Sequence, residues 1–371
     1  MRILVVNWQD RTHPQSGGAE VHLHEIFGRI ADMGHDVTLL CCGHDGAPRE
    51  EVLDGIKVIR VGRRPTFNYS VPIWWMSHGV DLRPDIIVDD INKIPFFTPL
   101  FVKRPILALV HHFFGDSIFR EVGWAAGSYV KMFEDRIGRI YRKTPVCVVS
   151  ESTKRECIDR GLPSENISIV HNAIDHRLFP MRVTEKSQAP TIVYFGRLKK
   201  YKSVDHVIKA LAIVRQSIPD VRLEILGTGD ERPELEQLVA SLDLGDAVRF
   251  RGFVADADKA RFLSSAHVMV NSSIKEGWGI TNIEANACGT PVISADVPGL
   301  RDSVRNGTSG LLYPYGDVDT LSKLLTRILV DHPERQRLSD GAVAWASTFT
   351  WERSAREMLS ICERTVESWR P

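Results

Sequence analysis

What this 371-residue sequence lacks narrows its class before any motif is read. It has no charge excess, with 47 Lys plus Arg against 47 Asp plus Glu. A general nucleic-acid binder would show a strong basic surplus, so that class is set aside, local patches excepted. Cysteine is sparse. Cys41, Cys42, Cys147, Cys157, Cys288 and Cys362 form no C-x-x-C pair, which removes support for a zinc ribbon or a thiol-redox motif. Scattered thiols of this kind suit a reduced, cytoplasmic protein. No apolar run approaches the roughly 18 residues of a membrane span. The N-terminus runs into Ile3–Val6 without a signal-peptide layout, so any membrane contact is expected to be peripheral, at the inner face.

What is present is alternation. Apolar, β-branched runs at Ile3–Asn7, Val37–Cys42, Lys57–Val61, Asp85–Asp89, Ile106–His111, Val146–Ser150 and Ile167–His171 read as strands buried on both faces of a parallel sheet. A second series follows at Thr191–Phe195, Arg222–Leu226, Val248–Phe250, Val268–Asn271 and Pro291–Ala295, with helical patterns at Val204–Ile218 and Glu231–Leu242. Repeated βα alternation predicts an α/β protein of two open, doubly wound sheets. His176–Pro190, polar and irregular, reads as the linker, and a helical pattern begins at Trp351.

Four segments carry candidate chemistry. Gln15-Ser16-Gly17-Gly18-Ala19-Glu20 joins the first strand to the first helix, and its glycines would let backbone approach a phosphate. It lacks the G-x-G-x-x-G fingerprint, and a plain flexible turn is the alternative. Gly196-Arg197-Leu198-Lys199-Lys200-Tyr201-Lys202-Ser203 follows the first strand of the second series. Ser203 is expected to cap the next helix, with Arg197 and Lys202 at its start, a combination that suits a diphosphate. The alternative is a solvated basic turn. Glu276-Gly277-Trp278-Gly279-Ile280-Thr281-Asn282-Ile283-Glu284-Ala285 places two glutamates eight positions apart. On one helix that is about 12 Å, too far for a retaining glycosidase pair at about 5 Å, so the two suit separate contacts on one elongated ligand. His111-His112 ends a buried strand, where one ring would meet substrate or be a satisfied core residue. His22 and His24 point to different helix faces, and no Asp-x-Asp pair lies near the proposed phosphate site. No metal or cofactor is expected.

These segments, in this order, resemble the retaining glycosyltransferases of family 4. The resemblance covers nearly the whole chain and includes His171-Asn172-Ala173-Ile174-Asp175, Cys288-Gly289-Thr290-Pro291-Val292 and Thr350-Trp351-Glu352. It implies the GT-B fold, two Rossmann-like domains facing a central cleft. Residues 1–180 would form the acceptor-side domain, 181–345 the nucleotide-sugar domain, and 346–371 a helix crossing back to the first. By matching motif, Gly17 and Gly18 should face the diphosphate and Arg197 and Lys202 bind its oxygens. Glu276 should contact the donor sugar and Glu284 the ribose, with amides of Gly279, Ile280 and Thr281 completing the phosphate cradle and Gly277 and Trp278 in the same donor-binding turn. Phe253 and Val254 fall in the loop that meets the base, and His111 or its neighbour His112 lies near sugar and acceptor. The sequence departs from the family at Ser203, where a glycine is common, at Trp278, where phenylalanine is, and at Asn271, where proline is. Trp278 is expected to reshape the sugar pocket.

The implied activity is transfer, with retention, of a hexose-type sugar from a nucleotide-diphosphate donor to a hydroxyl of a glycan, lipid or small molecule, without nucleic acid. A nucleotide-sugar 2-epimerase or a phosphorylase of the same architecture, or a catalytically silent sugar-nucleotide binder, are the rivals. Two basic-aromatic stretches, Arg60–Trp75 and Phe119–Lys143, suggest a face for anionic lipid, with an ordinary packed helix and solvated loop as the alternative.

Overall fold

The apolar runs fold as strands of two parallel sheets in a computed structural model that describes residues 1–92, 94–120, 123–181 and 183–370. Two units pack separately, Met1–Asn172 together with the chain from Trp351, and Ala173–Thr350. The segment 173–180, expected in the first domain, thus packs with the second.

The first unit holds β1 (Arg2–Val6), β2 (Asp36–Gly43), β3 (Glu50–Leu53), β4 (Ile56–Arg63), β5 (Ile86–Ile91), β6 (Ile106–Val110), β7 (Val146–Val148) and β8 (Ile167–Ile169). Their order is β3-β4-β2-β1-β5-β6-β7-β8, parallel except for β3. The chain leaves β1 for β2 on one side and returns to β5 on the other, so a topological switch point lies at β1/β5. The helices are α1 (Gly18–Asp32), α2 (Phe67–Leu82), α3 (Trp124–Glu134), α4 (Ile137–Ile140) and α5 (Glu151–Asp159). β1 past Arg2 and the whole of β5 are buried, so β1 runs apolar, while the two buried aspartates of β5 are bonded, Asp89 by Thr98 and Tyr141 and Asp90 by His111.

The second unit holds β9 (Thr191–Phe195), β10 (Arg222–Leu226), β11 (Val248–Gly252), β12 (Val268–Asn271), β13 (Val292–Ala295) and β14 (Gly310–Tyr313), in the order β11-β10-β9-β12-β13-β14. Its switch point is at β9/β12. Helices α6 (Val204–Val214), α7 (Arg232–Ser241), α8 (Asp256–Ser265), α9 (Ile280–Ala287), α10 (Leu300–Ser303), α11 (Val318–Val330) and α12 (His332–Ala346) complete it. The apolar stripe of α6 (Val207, Ile208, Leu211, Val214) meets that of α11 (Leu321, Leu325, Ile328) in one core. The last helix, α13 (Trp351–Ser368), belongs to the first unit. There Arg29 donates to Glu352 at 3.0 Å and Ser354 to the His171 carbonyl at 2.8 Å.

Several elements differ from the sequence reading. β3 pairs antiparallel with β4 across an Asp54-Gly55 turn in which both residues have positive φ. The Arg60–Trp75 stretch divides between core and surface, with Arg63, Tyr69 and Ile73 exposed. Arg60 is buried between Asp10 and Glu51, and Phe67 and Trp74 turn into the core of α2. In Phe119–Lys143, where Glu121 and Val122 lie outside the described residues, Ile137 and Tyr141 are buried. The expected linker packs on the second unit, where Lys186 Nζ reaches the Ala266 carbonyl at 2.5 Å and Thr290 Oγ1 at 2.8 Å. Arg182 of that linker lies outside the described residues.

Candidate active site

At the switch point of the second sheet, the loop after β9 is held against the loop after β12. Ile274 N donates to the Tyr201 carbonyl at 2.9 Å, and Ser272 Oγ to the Lys202 carbonyl at 2.9 Å. These bonds place Lys202 beside Glu276. Its ammonium pairs with Glu276 Oε1, which also accepts Ser273 Oγ at 2.8 Å. Burial disfavours the charged ammonium, but the Glu276 carboxylate and its hydrogen bond outweigh that and hold the Lys202 pKa above its ordinary value. Arg197 stands exposed on the same loop and donates to the Tyr201 hydroxyl at 3.2 Å. Two cations expected from the sequence are therefore together, with a carboxylate between them and the start of α9.

Ser203 does not cap α6. It sits in the left-handed region at φ +49°, and its hydroxyl bonds Tyr315 OH at 2.8 Å rather than an amide of the helix. A left-handed residue here is why glycine is common at this position of the motif.

Gly279, at φ +73°, precedes α9, so Glu276 lies outside the helix that carries Glu284. The first-turn amides of α9, at Ile280 and Thr281, have no partner within the helix. Trp278 is 2% exposed and packs edge-on against Phe349 with ring centroids 5.2 Å apart. Its ring thus packs inside the second unit rather than standing in solvent. Phe253 is 82% exposed after β11, with Val254 half-buried beside it.

Sequence reasoning missed the frame beneath these groups. Asn271 Nδ2 donates to Asn282 Oδ1 at 3.0 Å and Thr281 Oγ1 at 3.3 Å, and Asn282 Nδ2 donates to Ser303 Oγ at 2.9 Å. The asparagine that departs from the family thus ties the end of β12 to the start of α9. Gly299 approaches so closely that a Cβ would lie 2.0 Å from the Glu276 carbonyl oxygen. A Cβ at Gly227 would lie 1.9 Å from the Gly196 carbonyl oxygen. The Gly227-Thr228-Gly229 run after a strand was the available signal.

At the switch point of the first sheet, Gly17 N donates to Glu20 Oε2 at 2.6 Å, so this amide already serves a carboxylate of its own helix. Gly18 beside it is exposed, with open space where a Cβ would stand. His111 is 5% exposed and its Nε2 pairs with Asp90 Oδ1 at 2.9 Å. His22 meets it edge-on at 4.8 Å, and burial lowers the His22 pKa well below the ordinary value. His112 turns to the Phe114 ring instead. Among the described residues, no three His, Cys, Asp or Glu side chains cluster as metal ligands would.

Comparison with known proteins follows this division. Residues 16–178 match the model for Glycosyltransferase Family 4, and residues 179–345 the model for Glycosyl transferases group 1. A D-inositol 3-phosphate glycosyltransferase of Streptomyces bingchenggensis is 33% identical over 96% of this chain and 86% of its own length. Among solved structures, a sucrose-phosphate synthase from Thermosynechococcus elongatus superposes with a TM-score of 0.83, at 22% identity over 99% of this chain and 100% of that one. Anabaena HepE in complex with UDP-glucose superposes with a TM-score of 0.76, at 20% identity over the full length of both chains. Two parallel-sheet units with these motifs at their strand ends are the GT-B fold, and the chain belongs to the group 1, family 4 glycosyltransferases.

Proposed function

We propose that the protein is a retaining, metal-independent hexosyltransferase that uses a nucleotide-diphosphate sugar. The observation that carries the reading is the Lys202–Glu276 pair, with Arg197 on the same loop, at the carboxyl ends of β9 and β12. Ligands of open α/β sheets gather at such switch points. Lysine has three N–H donors, so Lys202 can keep Glu276 and still donate to a phosphate. The HepE neighbour, bound to UDP-glucose, supports a nucleotide sugar as donor.

In this reading the bond from the anomeric carbon to the diphosphate breaks while the acceptor oxygen bonds the same face. Negative charge grows on the leaving diphosphate, and Arg197, Lys202 and the amides of Ile280 and Thr281 stabilise it in place. The acceptor proton passes to the leaving phosphate oxygen. Glu276 orients sugar hydroxyls, Glu284 holds the ribose, Phe253 and Val254 lie against the base, and His111 lies near the sugar. Because side-chain cations supply the charge, activity should survive excess EDTA. The test is a thermal-shift screen of nucleotide sugars, then NMR of the product anomer. Stabilisation by none of them, or an inverted product, overturns the reading.

Peripheral docking on anionic membrane belongs to the same reading. Tyr69, Ile73 and Met76 recur at helical spacing on α2 and are the exposed face of that helix. Tyr69 OH lies 3.3 Å from Tyr129 OH of α3, the helix that also exposes Trp124 and Met132, and Arg63, Arg136 and Arg139 stand exposed on the same unit. No helix among the described residues is long and apolar enough to cross a membrane. Co-sedimentation with phosphatidylglycerol vesicles at low salt, lost on Ile73→Glu and Met76→Glu, is expected. No binding at low salt ends this part.

A further inference from the structure

The turn that carries Lys202 ends on a residue in a costly conformation. Ser203 is buried at φ +49°, a left-handed angle that strains a residue with a side chain and not glycine. Just before it, Lys202 N donates to the Lys199 carbonyl at 2.9 Å, and the Lys202 carbonyl accepts Ser272 Oγ at 2.9 Å. Just after it, His206 N donates back to the Ser203 carbonyl at 3.1 Å as α6 begins. The angles of Ser203 therefore set how the chain passes from Lys202 into α6. Were Ser203 to relax into an ordinary helical or extended conformation, either Lys202 would turn away from Ser272 or the first turn of α6 would open.

A side chain distant in sequence holds Ser203 there. Tyr315 OH shares a hydrogen bond of 2.8 Å with Ser203 Oγ. Tyr315 follows β14, three strands from β9 in the sheet order, and its ring packs against the core of the unit. The turn that presents it is itself fixed. Gly316 has φ +84°, Asp317 N donates to the Pro314 carbonyl at 3.0 Å, and the Asp317 carboxylate caps α11 through Thr320 N at 2.9 Å. The His206 ring lies against the Tyr315 ring with centroids 5.2 Å apart. Because the apolar stripes of α6 and α11 share one core, the two helix starts that carry Ser203 and Tyr315 are held together.

We propose that Tyr315 is a positioning residue for the cationic edge: through Ser203 it does the conformational work that glycine does where glycine stands in this motif, and so keeps Lys202 in place for a phosphate. Only the last step rests on Lys202 being a phosphate ligand. Without the bond, Ser203 leaves the left-handed region part of the time, and the measured affinity falls with the fraction of molecules still correctly arranged.

Inorganic pyrophosphate and UDP-glucose are titrated into the full-length protein by calorimetry, at a temperature where circular dichroism shows every variant folded, so that lost stability alone does not move the result. Tyr315→Phe removes only the hydroxyl and should bind both probes about three- to tenfold more weakly. Ser203→Ala breaks the same bond from the other side and should match it. Adding Ser203→Gly to Tyr315→Phe should restore wild-type affinity, because glycine keeps the left-handed angle unaided. Wild-type affinity in Tyr315→Phe and Ser203→Ala, or a double variant as weak as Tyr315→Phe, would overturn the proposal. A wild type that bound neither probe would sink the phosphate reading, and amide hydrogen exchange without ligand would then decide the conformational claim. The Lys202 and His206 amides should exchange faster in Tyr315→Phe and regain wild-type protection in the double variant, and exchange that Tyr315→Phe left unchanged would overturn it.

Discussion

After β9 the chain reads Gly196-Arg197-Leu198-Lys199-Lys200-Tyr201-Lys202, four cations in seven residues. After β1 it reads Asn7-Trp8-Gln9-Asp10, with every one of these side chains buried. Both stretches leave a central strand at a switch point, and both lead to a glutamate at hydrogen-bond distance. In the second unit that glutamate faces a lysine, and in the first it faces an amide and a backbone N–H. One architecture therefore offers a cationic edge in one unit and a buried edge of oxygens in the other. The strand order makes both places, and the side chains set the chemistry of each.

The comparison breaks first on stability. In the first unit Arg60 Nε meets Asp10 Oδ2 at 2.7 Å with both side chains nearly inaccessible. Burial alone would raise the Asp10 pKa, but hydrogen bonds from Arg60 and Thr12 hold it far below the carboxylate range. Arg60→Met leaves that carboxylate buried and unpaired, which should cost about 3–5 kcal/mol in denaturant unfolding. The pair Lys199–Asp230 in the second unit is exposed, and Lys199→Ala should leave the unfolding midpoint close to that of the wild type. Equal costs would show that the two edges do not differ in burial as described.

On ligand affinity the order reverses. Lys202→Ala or Arg197→Ala removes a cation from the phosphate edge and should weaken nucleotide-sugar binding by about 2–4 kcal/mol, roughly 30- to 1000-fold. Arg60→Met, measured below its melting temperature, should leave it unchanged. Calorimetric titration of the three variants decides, and wild-type affinity in both second-unit variants would remove the phosphate assignment.

Acid acts on a buried, depressed histidine in each unit, His22 in the first and His267 in the second. His267, buried in the second unit, accepts Thr191 N on Nδ1 at 3.0 Å and so must be neutral. Burial, then the charges of Arg335, Lys186 and His332, lowers its pKa to about 4. A depressed histidine contributes stability that is full above its unfolded value near 6.5 and is lost as pH falls towards 4. The loss should be on the order of 2–3 kcal/mol. His267→Gln should flatten the melting temperature between pH 7 and pH 5, and an unchanged slope would assign the acid sensitivity elsewhere.

How much of this was legible follows physical lines. Continuous β-branched runs marked twelve of the fourteen strands among the described residues; they missed β3, whose Glu50-Glu51-Val52-Leu53 is half-exposed and carries two charges, and β14, four residues that open on a glycine. Helix α2 was hidden because aromatic residues lie all round it and Pro72 falls inside it. The phosphate edge was legible because its cations and glycines are consecutive in sequence. The other edge was less so, since Asp90 and His111 meet only through the pairing of β5 with β6. The buried face of Trp278 was likewise invisible, because Phe349 lies seventy-one positions away (349 − 278).

The finest distinction concerns where each unit places glycine at the start of a helix. Gly17, before α1, has φ −150°, which any residue adopts, and a Cβ there would meet only Glu20 Oε2 at 3.8 Å. Ser203, before α6, has φ +49°, where glycine is favoured. The left-handed conformation costs a non-glycine residue about 1–2 kcal/mol, and the Ser203–Tyr315 hydrogen bond at 2.8 Å returns roughly 0.5–1.5. Ser203→Gly should therefore change stability by less than about 1 kcal/mol, because it removes both terms. Ser203→Ala keeps the strain and loses the bond, so it should be the least stable of the three. In a Tyr315→Phe background the bond is already gone, and Ser203→Gly should then be stabilising by about 1 kcal/mol. Gly17→Ala should be neutral for the backbone. Chemical denaturation of these variants orders them, and an alanine at 203 as stable as glycine would mean that α6 does not begin from a left-handed residue.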